Sequence, residues 1–261
     1  MLRERVITSI AALLIVGLVL FVVPVAYTEF IIGILILGGA WEWSGFFGTT
    51  SKAQRIGFTV LVGICVAYLH TVIPAYGTLI LQVACAWWFI AFLWNLRFPT
   101  PIPVIVRWIC GVLTLVPLFV ALVMLLRLGV EYLIFTLLIV WLADGGAYFA
   151  GKAFGRVKLA PEISPGKTWE GVVGGMLMVV VLGVVGVLYI DVRIAVMVPF
   201  CLAVGALSVV GDLTVSMFKR TAGLKDSGSL FPGHGGVLDR IDSVSAAAPL
   251  FALGVTWLGM V

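Results

Sequence analysis

The chain has 261 residues, of which 62% are hydrophobic and only 11% charged, with a mean hydropathy of +1.22. Soluble domains are roughly half apolar and a quarter charged, so a water-facing globule is excluded and a bilayer is the solvent that fits. The net charge of +4 does not point to nucleic acid, because the basic residues sit in short loops between apolar runs and form no stripe interleaved with aromatics.

A membrane-crossing helix needs about 20 mostly apolar residues. By that measure nine spans are expected, over 6–27, 30–48, 56–74, 76–95, 106–126, 132–151, 171–190, 194–213 and 243–260. The fold class is therefore all-α: a polytopic integral membrane protein of about nine transmembrane helices. The first apolar run, after Met1-Leu-Arg-Glu-Arg5, is longer than a signal-peptide core of about 7–15 residues, so it is expected to stay as a first span. Cys65, Cys85, Cys110 and Cys201 all lie inside apolar runs without C-x-x-C spacing, which fits inert buried thiols.

With nine spans and a cytoplasmic N-terminus, 14 of the 16 basic residues fall on one face, leaving only Arg127 and Arg193 on the other. That is the pattern of the positive-inside rule. Glu42, between Trp41 and Trp43, belongs to the cytoplasmic half of the second span, with a role in a site and structural ion pairing as equal alternatives. His70 reads as an interfacial residue near the outer end of the third span.

Residues 1–130 read as N-terminal transmembrane helices and 131–261 as a catalytic region with two cytoplasmic loops, 151–170 and 211–242. Asp144 lies inside the sixth span near its cytoplasmic end, and an intramembrane acid is a functional-site hypothesis by default. The turn Ser164-Pro-Gly-Lys167-Thr168-Trp-Glu170 offers hydroxyls and an ammonium group to an anion, without the spacing of a P-loop. If the eighth span continues as a helix, Asp212, Ser216, Lys219 and Arg220 share one face. Pro232-Gly-His234-Gly235-Gly236 is a turn whose N–H groups could cradle phosphate oxygens. Asp239 and Asp242 follow at helical i, i+3 spacing, hard oxygen ligands that suit Mg²⁺ beside substrate phosphates.

Taken together, Ser216-Met-Phe-Lys219-Arg220, Lys225-Asp226, Pro232, His234-Gly-Gly236, Asp239-Arg240 and Asp242 resemble the signature of the phosphatidate cytidylyltransferases. The Asp144 segment, the Ser164-Pro-x-Lys-Thr-Trp-Glu stretch and the span pattern also resemble this family, with no departure at a signature position. The resemblance implies that CTP and phosphatidic acid give CDP-diacylglycerol and pyrophosphate with Mg²⁺, at the cytoplasmic face of a bacterial inner membrane. It implies Asp144, Asp212, Asp239 and Asp242 as metal ligands, Asp212 and Asp239 foremost, with Asp226 a weaker candidate. Lys219, Arg220, Lys225 and Arg240 would bind phosphate and stabilise departing pyrophosphate, and His234 would orient or touch phosphate. Ser164, Lys167, Thr168, Ser216, Gly235 and Gly236 complete the expected substrate contacts.

The expected partners are CTP, phosphatidic acid and the bilayer, with a homodimer among the assemblies the glycine-rich spans allow and no nucleic acid. Two rivals stand beside the transferase. A secondary transporter would place ionisable groups near the bilayer midplane, whereas here they gather at one boundary. A CTP-dependent polyprenol kinase would release CDP in place of pyrophosphate.

Overall fold

The computed structural model describes residues 13–48, 51–189, 192–228 and 235–259. Residues 13–21 are helical and stop short of the expected boundary at 27, because Pro24 takes the N-cap position of the next helix. Proline has no N–H to give to a continuing helix, and its fixed φ suits a helix start. That helix, α1 (Val25–Trp43), runs into a 3₁₀ turn (Ser44–Phe47) closed by Gly48 at φ +68°, a left-handed conformation that glycine adopts without strain. There follow α2 (Lys52–Asn95), α3 (Val104–Leu128), α4 (Val130–Phe154), β1 (Lys158–Ala160), β2 (Ser164–Thr168), α5 (Trp169–Gly186), α6 (Ile194–Thr221) and α7 (Leu238–Trp257). Among the described residues, six helices are long and apolar enough to cross a membrane: Val25–Phe47, α2, α3, α4, α5 and α6.

The 44 residues of α2 cover two of the expected spans in one helix, with Pro74 inside it. A straight helix would hold Phe58 and Trp87 about 43 Å apart. Yet Phe58 packs edge-on against Trp108, with ring centroids 5.3 Å apart, while Trp87 Nε1 donates to Thr114 Oγ1 at 3.3 Å. Both partners lie within two turns of α3, so α2 doubles back on itself. His70 and Gly77 both sit beside the far end of α3, against Arg127 and Met124, which places the reversal at Pro74 between them. A proline inside a helix removes one backbone hydrogen bond and pushes its ring at the preceding turn, the usual cause of a sharp bend.

The two predicted loops are shorter than expected. α4 continues to Phe154 and α5 begins at Trp169, and the residues between them form an antiparallel hairpin pairing Lys158 with Thr168 and Ala160 with Ser164. This is a small correction to the all-α reading: Pro161 and Pro165 bar a helix there, and the short segment pairs as strands instead. α6 continues past the expected 213 to Thr221, with Lys219 and Arg220 in its last turn, where cations complement the helix dipole. α7 starts at Leu238 rather than 243.

α3 is the spine of the bundle, with 78% of its most apolar stretch buried against the other helices. Around it, Trp43, Phe58, Trp88, Phe218 and Phe251 are fully buried. α4 and α5 meet through small residues: a side chain at Gly175 would come within 2.4 Å of the Ala143 carbonyl, so glycine is what allows the helices this close. Charged contacts collect at the two ends. One end holds Glu29, His70 and Arg127; the other holds the hairpin, the end of α6 and the start of α7, close to the Trp43–Phe218 ring contact at 4.9 Å.

Candidate functional site

The site is built on the last turns of α6. Asp212, Ser216 and Lys219 share a face there, as the spacing predicts, and Ser216 Oγ donates to Asp212 Oδ1 at 3.2 Å. Arg220 does not join them. Its Nε donates to the Ile163 carbonyl at 3.1 Å and its Nη1 to the Leu224 carbonyl at 3.4 Å, so it ties the hairpin to the loop after α6. One position along a helix turns a side chain by roughly 100°.

The hairpin delivers Lys167, whose Nζ lies 2.6 Å from Asp212 Oδ2. Its neighbour Thr168 is buried and caps α5, its Oγ1 accepting from Gly171 N at 3.2 Å. Ser164 is half-buried at the start of the same strand. From α4 and α7 come two more acids. Ser243 Oγ donates to Asp144 Oδ2 at 3.3 Å, and buried Asp242 accepts from Ser243 N at 2.8 Å. The Asp212 charge acts on both Asp144 and Asp242, and the Lys167 charge acts on all three. Carboxylates from three helices therefore share one electrostatic neighbourhood, although among the described residues no three His, Cys, Asp or Glu side chains are placed to hold a metal together.

Asp239 is differently employed. Its Oδ1 accepts from Lys219 Nζ at 2.7 Å, and its Oδ2 accepts from Gly236 N at 2.9 Å, Ser227 N at 2.9 Å and Ser227 Oγ at 2.8 Å. Both oxygens of this carboxylate are engaged by the protein. Beside it, Glu42 reaches over from α1: Oε1 accepts from Val237 N at 3.0 Å and Oε2 from Leu238 N at 2.8 Å, while Ser227 Oγ, whose single proton is shared with Asp239, lies 3.0 Å from Oε2. Of the N–H groups expected to cradle phosphate, that of Gly236 is thus turned onto Asp239, and the next two along the chain, of Val237 and Leu238, onto Glu42. The glycines make room for this. Gly235 has φ +79°, and a side chain at Gly236 would come within 2.2 Å of Glu42 Oε2.

Lys225 and Asp226 are exposed on the loop, Arg240 is exposed on α7, and His234 lies outside the described residues. Sequence reasoning missed Ser227 and Ser243 as polar links, although each adjoins a residue it had singled out. The destination of Glu42 has no signal in sequence spacing, because its partners lie far along the chain.

The chain matches the model of the cytidylyltransferase family over residues 3–258. It is 38% identical over 282 residues to a phosphatidate cytidylyltransferase of Haemophilus influenzae, covering 97% of this chain and 98% of the relative. It is 39% identical over 278 residues to a phosphatidate cytidylyltransferase of Pseudomonas aeruginosa, covering 97% and 96%. A protein of the same name from Staphylococcus saprophyticus is 44% identical over 124 residues, 47% of this chain and 48% of the relative.

Proposed function

The chain belongs to the cytidylyltransferase family, and from that premise we propose that it transfers the cytidylyl group of CTP to phosphatidic acid, giving CDP-diacylglycerol and pyrophosphate. The observation that carries this reading is near full-length likeness to two proteins named for phosphatidate cytidylyl transfer. The cluster of acids and lysines at one end of an apolar bundle supports it, because a lipid phosphate reaches an enzyme at that depth.

The nucleophile is an oxygen of the lipid phosphate. A phosphate monoester has a second pKa of about 6, so it is largely dianionic at neutral pH and needs no strong general base. It attacks the α-phosphorus of CTP; a new P–O bond forms there as the bond to the oxygen bridging to the β-phosphate breaks, and pyrophosphate departs. The chain's work is then positioning and charge neutralisation. Lys167 and Lys219 supply charge from the interior, and Lys225 and Arg240 from the exposed rim.

We further propose that the reaction uses Mg²⁺. The donor set fits it: Asp144, Asp212 and Asp242 offer hard oxygens, and Mg²⁺ asks for only one or two carboxylates beside phosphate oxygens and water. When bound there, the ion would neutralise triphosphate charge and help to hold the α-phosphoryl in line. Asp239, whose oxygens are filled by protein donors, is better suited to orienting Lys219 than to metal binding.

The same reading places nine crossings in a bacterial inner membrane, with the N-terminus and the site on the cytoplasmic side. Its support is the sorting of basic groups: Arg55, Arg107, Lys167, Lys219 and Arg220 gather at the site end, and Arg127 at the other. Residues 131–261 carry most of the chemistry, braced by Glu42 from the first half.

The test is purified protein in detergent with CTP, Mg²⁺ and phosphatidic acid. Pyrophosphate and CDP-lipid should appear together and only when the lipid is present. CDP without pyrophosphate, seen only with a polyprenol acceptor, would replace the transferase with a kinase.

A further inference from the structure

We propose that Glu42 is a positioning residue for this transfer: from α1 it fixes the start of α7 and, through it, the charges that act on the reacting phosphates. The inference rests on the transferase reading above.

A carboxylate buried in an apolar bundle is destabilising unless donors surround it. Glu42 is only 7% exposed, and among the described residues its donors are two backbone N–H groups and a hydroxyl shared with Asp239, with no lysine or arginine bonded to it. Of the two alternatives left by the sequence, structural ion pairing has no basic partner among the described residues, and the site role is the one argued for Glu42. Its backbone donors, Val237 and Leu238, are the first N–H groups of α7, where a helix leaves donors unsatisfied and favours negative charge. A cap is ordinarily supplied by the residue at the N-cap position itself. Here that residue is Val237, whose side chain has no acceptor, and the cap comes instead from the other half of the sequence.

What Glu42 holds is the part of α7 that carries the chemistry. Asp239, Arg240 and Asp242 all lie in the first turn and a half beyond the cap. Ser227 Oγ reaches both Glu42 Oε2, at 3.0 Å, and Asp239 Oδ2, at 2.8 Å, so the clamp is continuous with the pair that orients Lys219. Gly228 and Gly236 line the carboxylate so closely that a side chain at either would come within 2.3 Å of it. Glu42 thus joins α1, the foot of the loop after α6 and the start of α7. A small displacement of α7 would move its charges away from the transferring phosphoryl, and phosphoryl transfer is sensitive to such shifts.

The experiment compares wild type, Glu42→Gln, Ser227→Ala and the double variant in detergent. It measures kcat and both KM values per mole of monodisperse protein, alongside the melting midpoint. Glu42→Gln keeps the volume and loses the charge and one acceptor; its kcat should fall roughly ten- to hundredfold. The KM values for CTP and phosphatidate should stay within about threefold, because a positioning residue acts through α7 rather than on a substrate. The two substitutions should combine to less than the product of their separate effects, since both act through one clamp. A lower melting midpoint with full kcat would make Glu42 a purely structural cap and overturn the proposal, as would multiplicative effects. Should Glu42→Gln fail to fold, Ser227→Ala decides alone: a kcat equal to wild type overturns the proposal, and a loss in kcat with steady KM upholds it. A wild-type chain that makes no CDP-lipid would instead remove the transferase reading, a failure visible before any variant is compared.

Discussion

At the end of the bundle away from the site, Glu29 meets Arg127 through two bonds, to Nε at 2.6 Å and Nη2 at 2.9 Å, and His70 Nε2 lies 2.7 Å from its second oxygen. At the site end, Asp212 has Lys167 and Asp239 has Lys219, but Asp144 and Asp242 are held only by a serine hydroxyl and a backbone N–H among the described residues. The first cluster is closed: one carboxylate, its fork-shaped partner and a second donor satisfy one another. The second is open, because among the described residues its four acids, of which only Asp242 is buried and Asp144 is exposed, outnumber the two cations bonded to them. A closed cluster braces helices, as a bidentate arginine does. An open one gathers negative potential at a partly exposed place, which suits the entry of a cation or a cationic group.

That contrast is broken most directly at Asp212. Asp212→Asn keeps the side-chain shape and its bond from Ser216 while removing the charge that holds Lys167. The expected result is a fall in kcat of about 10²–10³-fold, the size typical of losing one preorganised electrostatic group. The protein should elute as wild type does, with pyrophosphate release as the readout. Activity within a few-fold of wild type would mean the open cluster is as structural as the closed one.

The reciprocal experiment is Glu29→Gln. It leaves Arg127 with a neutral partner in a part-buried place, and the expected cost is about 1–3 kcal/mol, below that of a fully buried pair because Arg127 is partly exposed. In a domain of this size that lowers the melting midpoint by roughly 5 °C. The kcat of the folded protein should stay within about twofold. A large loss of kcat would join the two ends functionally and erase the distinction between them.

The two ends also differed in how far the sequence announced them. Periodicity placed Asp212, Ser216 and Lys219 together because helical spacing is local, and apolar run lengths located the helices because bilayer thickness dictates them. The boundary expected between the spans 56–74 and 76–95 coincides with the reversal at Pro74 in α2. Three features were not legible. The Gly-Gly turn reads as a phosphate cradle, yet Gly236 N faces Asp239 and the next N–H, of Val237, faces Glu42, which depends on the packing of α1 against the start of α7. Glu29, His70 and Arg127 come from three separate helices, so no spacing rule links them. Arg220 was placed by helical spacing on the same face as Asp212, Ser216 and Lys219, and its turn toward Ile163 depends on where the hairpin docks.

Thr168 offers the finest division between the two kinds of group, because the resemblance assigns it to an anion site while the structure has it capping α5. Thr168→Val preserves the β-branched shape and removes the hydroxyl that accepts from Gly171 N. If the residue is a cap, the substitution costs about 1 kcal/mol of stability, the usual value for losing such a bond. The KM for CTP should then change by less than about threefold, since Lys167 is positioned by the strand and by Asp212 rather than by its neighbour's hydroxyl. Thr168→Ser, which restores the acceptor without the methyl group, should recover most of the lost stability. A KM rising tenfold or more with an unchanged melting midpoint would move Thr168 from the scaffold into the anion site. The open cluster would then extend along β2 to the start of α5, and the boundary between bracing and binding would run between Thr168 and Gly171 rather than between Lys167 and Thr168.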